Sequence, residues 1–183
     1  MRLSKKNVKH LTLICNVAAW PGIGTGKLFE NHQVDAAICT HIGLNPIVGE
    51  QLKNGSCKID LIPQGTFAER MRAAGAGLGG FLTPTGVGTV VQHGKQVFNI
   101  DGKEYLLELP LRADVALLCA YKSDKYGNLF FNKSSQNFQP VMAMAADLVI
   151  VEADNIVEPG DIPAECVHTP SIFVEYIVDG SKL

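Results

Sequence analysis

Short apolar runs punctuate the chain at LTLICNVA (11–18), DAAICTHI (35–42), KIDLIP (58–63), VALLCAY (115–121) and DLVIVEA (147–153). Most are apolar at consecutive positions rather than at every second one, which predicts strands of a parallel sheet covered on both faces. Between them, NPIVGEQLKNG (45–55), TFAERMRAAG (66–75) and SSQNFQPVMAMAA (134–146) have helical composition. Strand and helix alternate, so the expected fold is α/β: a layered, mostly parallel sheet flanked by helices, in one domain over 1–183. The texture changes at 89–109, where TVVQHGKQVFNIDGKEYLLEL predicts a small β-hairpin excursion turning at Asp101-Gly102.

Composition narrows the function classes. The chain has 183 residues, 46% of them hydrophobic, and a formal net charge of -2 with both signs interspersed. That balance gives no electrostatic footprint for nucleic acid or an anionic membrane. The apolar runs are too short to cross a bilayer, and the basic N-terminus leads into a polar-interrupted stretch unlike an export signal. A cytoplasmic location is expected. The closing Ser-Lys-Leu matches a peroxisomal address, but a three-residue match is cheap.

The five cysteines (Cys15, Cys39, Cys57, Cys119, Cys166) are odd in number and form no CxxC pair, so neither a disulfide framework nor a zinc site is expected. They read as small hydrophobes. His10, His32, His41, His93 and His168 are dispersed, and no metal is predicted.

The stretch GAGLGGFLTPTGVGT (75–89) holds six of the eighteen glycines and no charge. Glycine costs conformational entropy on folding, so this density implies close approach to the main chain. Gly75, Gly77 and Gly80 satisfy G-x-G-x-x-G, but a helical segment precedes them and Pro84 follows, the reverse of a dinucleotide fold's strand-glycines-helix order. PGIGTGKL (21–28) fails as a phosphate loop at both Pro21 and Leu28; Gly22, Gly24 and Gly26 read as a surface connection or a ligand contact.

Thr66 and Glu69 have capping-box spacing, which predicts a helix start at Thr66 and places Gln64 and Gly65 in the preceding turn. That turn lies at the carboxyl end of a strand, where open α/β sheets put ligands and where helix partial charge suits a carboxylate. An amide at Gln64 can donate to and accept from an acyl group without the cost of a buried charge. Lys122, Lys125 and Lys133 flank DKYGNLFFN, with a turn at Gly127-Asn128, and read as a solvated loop ahead of a substrate contact. No nucleophile with a base beside it can be nominated.

PQGTFAERMRAAGAG, FLTPTGVGT, LLELPLRADVALL, YGNLFFNKSSQNF and VEPGDIPAECVHTPSIFV occur in this order, and together they resemble the alpha subunit of family I coenzyme A transferases of the acetate or butyrate:acetoacetate and 3-oxoacid types. The likeness runs from about Asn7 to Val178. It implies CoA transfer between an acyl-CoA and a free carboxylate through a glutamyl-CoA thioester whose glutamate sits on a beta subunit, so no catalytic nucleophile is expected here. By the same resemblance Gln64, with Gly65, and Asn16 contact substrate, and the stretch from Gly79 to Thr89, with Gly79, Gly80, Phe81, Thr83, Thr85, Gly86 and Gly88, walls the substrate or the partner.

The implied assembly is a hetero-oligomer of α2β2 type; CoA and acyl-CoA are substrates, with no permanently bound cofactor. Two departures stand out. The strand and helix with a GGF loop that open such subunits have no counterpart before Lys5, so the first βα unit is expected to be absent, leaving an exposed sheet edge and an uncovered helix seat. Val17 replaces an asparagine of some relatives. The competing expectations are an inactive scaffold subunit and a sugar-phosphate isomerase or sensor module on the same superfold.

Overall fold

The computed structural model describes residues 3–6 and 8–182. Asn7, where the likeness begins, and Leu183 of the closing tripeptide lie outside the described residues. Two compact units emerge: the residues up to Phe67 with Gly88–His93, and Ala68–Val87 with the residues from Gly94 onward.

The first unit carries strand β1 (Leu11–Val17), helix α1 (Gly26–Glu30), β2 (Val34–His41), α2 (Pro46–Asn54) and β3 (Lys58–Leu61), and the start of α3 (Gln64–Gly75). Its sheet is parallel throughout, in the order β1-β2-β3, with Cys15 beside Cys39 and Cys39 beside Leu61. Leu28, Phe29, Val34, Ala37 and Val48 form its core.

The segment at 21–28, read as a surface connection or a ligand contact, is exposed at Gly22 and Gly24 and then runs into α1, whose Leu28 and Phe29 are fully buried. Gly26 makes this possible, because a side chain there would meet the Trp20 carbonyl oxygen at 2.1 Å. Helix α2 starts as its sequence asks: Asn45 Oδ1 accepts from the backbone N–H groups of Ile47 and Val48, and Pro46 occupies a first-turn position that needs no donor. The Asn45 side chain also donates to the Ala18 carbonyl, tying that cap to the residue after β1.

The second unit contains β4 (Phe81–Thr83), β5 (Val97–Ile100), β6 (Lys103–Glu108), β7 (Ala113–Asp124), β8 (Leu129–Phe130), α4 (Gln139–Met144), β9 (Ala146–Val157) and β10 (Tyr176–Asp179). One sheet has the order β10-β9-β7-β8, parallel except for the β7-β8 pair. The other, β4-β6-β5, is the antiparallel excursion. Its turn has both Asp101 and Gly102 at positive φ, as a two-residue hairpin with right-twisted strands requires.

The helix read over 134–146 is confined to α4, with a 3-10 turn at Lys133–Gln136 before it. Pro140 cannot donate a backbone hydrogen bond and fits only the first turn, so it fixes α4's start. On β7 only one face is covered: Ala116, Leu118 and Ala120 are buried with Phe131 and Val151, while Val115 and Leu117 are 46% and 51% exposed. Consecutive apolar residues therefore overstated its burial on the second face.

Candidate functional site

All three strands of the first unit's sheet point the same way, so their carboxyl ends share one edge. Asn16 is the penultimate residue of β1, Thr40 the penultimate residue of β2, and Gln64 lies three residues past the end of β3. The Ile62 N–H donates to the Cys39 carbonyl and holds the exit of β3 against β2. Sequence reasoning had nominated Asn16 and Gln64 separately, and the parallel topology puts them at one sheet edge.

Helix α3 begins two residues earlier than the capping-box spacing implied. The Phe67 N–H already bonds the Pro63 carbonyl, which makes Gln64 and Gly65 the first helical residues rather than turn residues. Thr66 thus falls inside the first turn, where it is buried and its hydroxyl has no partner among the described residues, while Glu69 pairs with Arg72 instead. The consequence for chemistry is small, since Gln64 and Gly65 still stand at the positive end of a twelve-residue helix, and both are exposed.

Two kinds of glycine can be separated. A side chain at Gly75 would meet Met144 Cβ at 2.4 Å, and one at Gly80, where φ is +150°, would meet the Glu108 carbonyl oxygen at 2.7 Å. These two are demanded by the fold of the second unit. Gly65 and Gly79 are different: open space surrounds a side chain at either, and neither has positive φ. Gly65 even forgoes helix propensity without any internal steric return.

The remaining wall residues divide between the units. In the second, Phe81 and Thr83 lie on β4, half-buried, and Thr83 Oγ1 accepts from the N–H of exposed Thr85. Gly86 is half-buried at positive φ. In the first, exposed Gly88 donates its N–H to Gln92 Oε1.

Four of the five cysteines are held as thiols rather than as the thiolates a nucleophile needs. Burial, then the neighbouring Cys39, pushes the Cys15 thiol up to about 12, and burial pushes Cys39 up to about 11. Burial also raises Cys57 and Cys119. A thiol held protonated is a poor nucleophile and a poor metal ligand. Among the described residues no group of histidine, cysteine and carboxylate side chains could hold a metal ion.

Lys125 forms an ion pair with Glu158, and Lys133 lines an open groove of about 530 Å³ with Arg72 and Asn137. The turn at Gly127-Asn128 is held by Asp124, whose Oδ1 accepts from the N–H groups of Tyr126, Gly127 and Asn128. Among the described residues no helix is long and apolar enough to cross a membrane.

Residues 2–180 match the family model described as coenzyme A transferase. The chain belongs to the coenzyme A transferase family. It is 47% identical over 176 residues to the acetate CoA-transferase subunit alpha of Escherichia coli K12, covering 96% of this chain and 80% of that one. It is 49% identical over 172 residues to the acetoacetyl-CoA:acetate/butyrate CoA transferase alpha subunit of Clostridium acetobutylicum, covering 94% and 79%. Among solved structures, an acyl-CoA transferase apoenzyme from Escherichia coli O157:H7 superposes with a TM-score of 0.81 at 21% identity, over 97% of this chain and 39% of that one.

The solved structure bears on the fold alone, and it agrees with the α/β expectation. Membership in the CoA-transferase family rests on the family model and the alpha-subunit relatives, and the isomerase, sensor and inactive-scaffold expectations find no support. Thr40 was not singled out by sequence reasoning. Its signal, a hydroxyl directly beside Asn16 on the neighbouring strand, exists only once the β1-β2 pairing is known.

Proposed function

We propose that this chain is the alpha subunit of an enzyme exchanging CoA between a short-chain acyl-CoA, acetoacetyl-CoA or a close analogue, and a free carboxylic acid. The observation that carries this reading is 47–49% identity, over 94–96% of the chain, to alpha subunits named for acetate and acetoacetyl-CoA:acetate/butyrate transfer. The acyl-CoA gives up its CoA and leaves as a carboxylate, while the acceptor carboxylate gains the thioester. A glutamate of a beta subunit is the nucleophile and carries CoA between the two as a glutamyl thioester. CoA and acyl-CoA come and go as substrates, with no resident cofactor.

This chain's part is to bind and stabilise. Amides at Asn16 and Gln64 donate to the acyl or carboxylate oxygen as negative charge builds there, and the α3 N-terminus adds partial positive charge without a counterion. Bare backbone at Gly65 and Gly79 lets reacting groups and the partner approach closely. An α2β2 assembly in the cytoplasm belongs to the same reading, and the alpha-subunit names of the relatives support its beta-type partner.

The test is CoA transfer from acetoacetyl-CoA to acetate, followed by loss of the acetoacetyl-CoA enolate absorbance, with the chain alone and assembled with a beta-type subunit. Turnover in the assembly and none with the chain alone is expected. An assembled complex that turns over neither acetate nor butyrate refutes the reading.

A further inference from the structure

We infer that Thr40 is a positioning residue that holds the side chain of Asn16 in place at the end of β1; the inference rests on the proposed role of Asn16 in holding an acyl or carboxylate oxygen. The residues face one another by register. Cys15 pairs with Cys39 and Val17 with His41, which sets Asn16 beside Thr40 on adjacent parallel strands with both side chains on one face of the sheet.

The Thr40 hydroxyl lies 2.8 Å from Asn16 Oδ1 and 2.8 Å from the Asn16 backbone carbonyl oxygen. A hydroxyl has one proton to give, and here both acceptors within its reach belong to the same residue. Whichever of the two takes that proton, the hydroxyl stays within hydrogen-bond reach of the Asn16 amide.

A hydroxyl can donate to an amide oxygen or accept from an amide nitrogen, so Thr40 anchors the Asn16 side chain without adding charge. It also restrains the side chain of a half-buried residue at the end of an edge strand of the described sheet, where rotamer freedom would otherwise be lost on binding. The partners Thr40 keeps are backbone and side chain of one neighbour, so its effect on substrate passes through Asn16.

Two readouts test this, and they fail separately. In the assembled complex, Thr40→Val keeps shape and removes the hydroxyl, Thr40→Ser keeps the hydroxyl, and each is combined with Asn16→Ala. Expected are a roughly tenfold loss of kcat/KM for Thr40→Val, as one hydrogen bond of about 1.4 kcal/mol implies. Thr40→Ser should retain activity near wild type, and Thr40→Val should cause no additional loss in the Asn16→Ala background. A Thr40→Val loss that persists undiminished in that background, or no loss at all, overturns the inference.

The second readout needs no turnover. In the ¹H–¹⁵N spectrum of the full chain, the Asn16 side-chain amide resonances should move in Thr40→Val and stay in Thr40→Ser. Acetate should shift them in the wild type and shift them less in Thr40→Val. If the complex has no transfer activity, the functional reading falls, and these resonances alone decide the Thr40–Asn16 coupling. Resonances indifferent to Thr40→Val overturn it.

Discussion

Gly65→Ala separates the two explanations of a bare backbone, because they predict opposite signs. The second residue of α3 is exposed, lies outside the positive-φ region, and has open space where a methyl group would go. Within the chain alone, alanine should therefore be favourable, by about 0.5–1 kcal/mol from helix propensity and reduced unfolded-state entropy. For a chain of this size that raises Tm by about 1–4 °C. If Gln64 contacts substrate as proposed, the same methyl projects into the path of the reacting groups at the helix N-terminus. Displacement of a bound reactant by about 1 Å costs on the order of 10²-fold in rate. The assay pairs thermal and urea denaturation of the isolated chain with acetoacetyl-CoA:acetate transfer by the assembled complex. A variant that is more stable and more than tenfold slower bears out the reasoning. A variant that is more stable and fully active refutes it, since Gly65 then faces nothing in the reaction.

Gly80→Ala should behave in the opposite way, losing about 1–3 kcal/mol in urea because its methyl would sit 2.7 Å from the Glu108 carbonyl oxygen at φ +150°. A midpoint equal to wild type would contradict the division of the glycines. Lys95→Met leaves the Glu108 carboxylate, 2% exposed, without its 2.5 Å partner and should cost about 3–5 kcal/mol; Lys95→Met/Glu108→Leu should recover most of it. Equal losses in the single and double variants would show that the pair does not carry the effect.

For Cys15 and Cys39 the folded thiols, at about 12 and about 11, hold their protons more tightly than the unfolded reference of 9.0. Their contribution is thus complete below pH 9 and is lost as pH rises through the folded values. Tm measured across that window should fall less steeply in Cys15→Ala/Cys39→Ala, and parallel slopes would refute the linkage.

What the sequence made legible follows from how local each signal is. Helix α2 could be read nearly to the residue, because Asn45, Pro46 and Gly55 state its ends in the chain itself: a cap, a first-turn proline and a C-terminal residue at φ +75°. The hairpin at Asp101-Gly102 is local in the same sense. The start of α3 was misjudged because two local signals compete there. The Thr66/Glu69 spacing suits a cap, but Pro63 offers its carbonyl to Phe67 first, and Thr66 is then drawn into the buried side of the helix. Helix α1 was missed for a related reason, since its five residues are too few to show a period and the glycines around it resemble a loop.

The candidate site needed a non-local fact. Gln64 is legible from its place between a strand end and a helix start, whereas Asn16, 48 positions away, rests on resemblance alone and has no local feature that distinguishes it from an ordinary strand-end amide. What gives them a shared edge is the direction of three parallel strands, and what anchors the Asn16 side chain is a hydroxyl 24 positions away. A threonine in a β-rich run is expected anywhere on propensity alone, so Thr40 carries no signal until register places it opposite an amide. Glycine shows the same limit from the other side. Gly65 and Gly80 are indistinguishable as letters, but one is bare because the fold allows nothing else and the other although the fold would accept a side chain. Only the second kind has no reason inside the chain, and it becomes visible when each glycine's surroundings are known atom by atom.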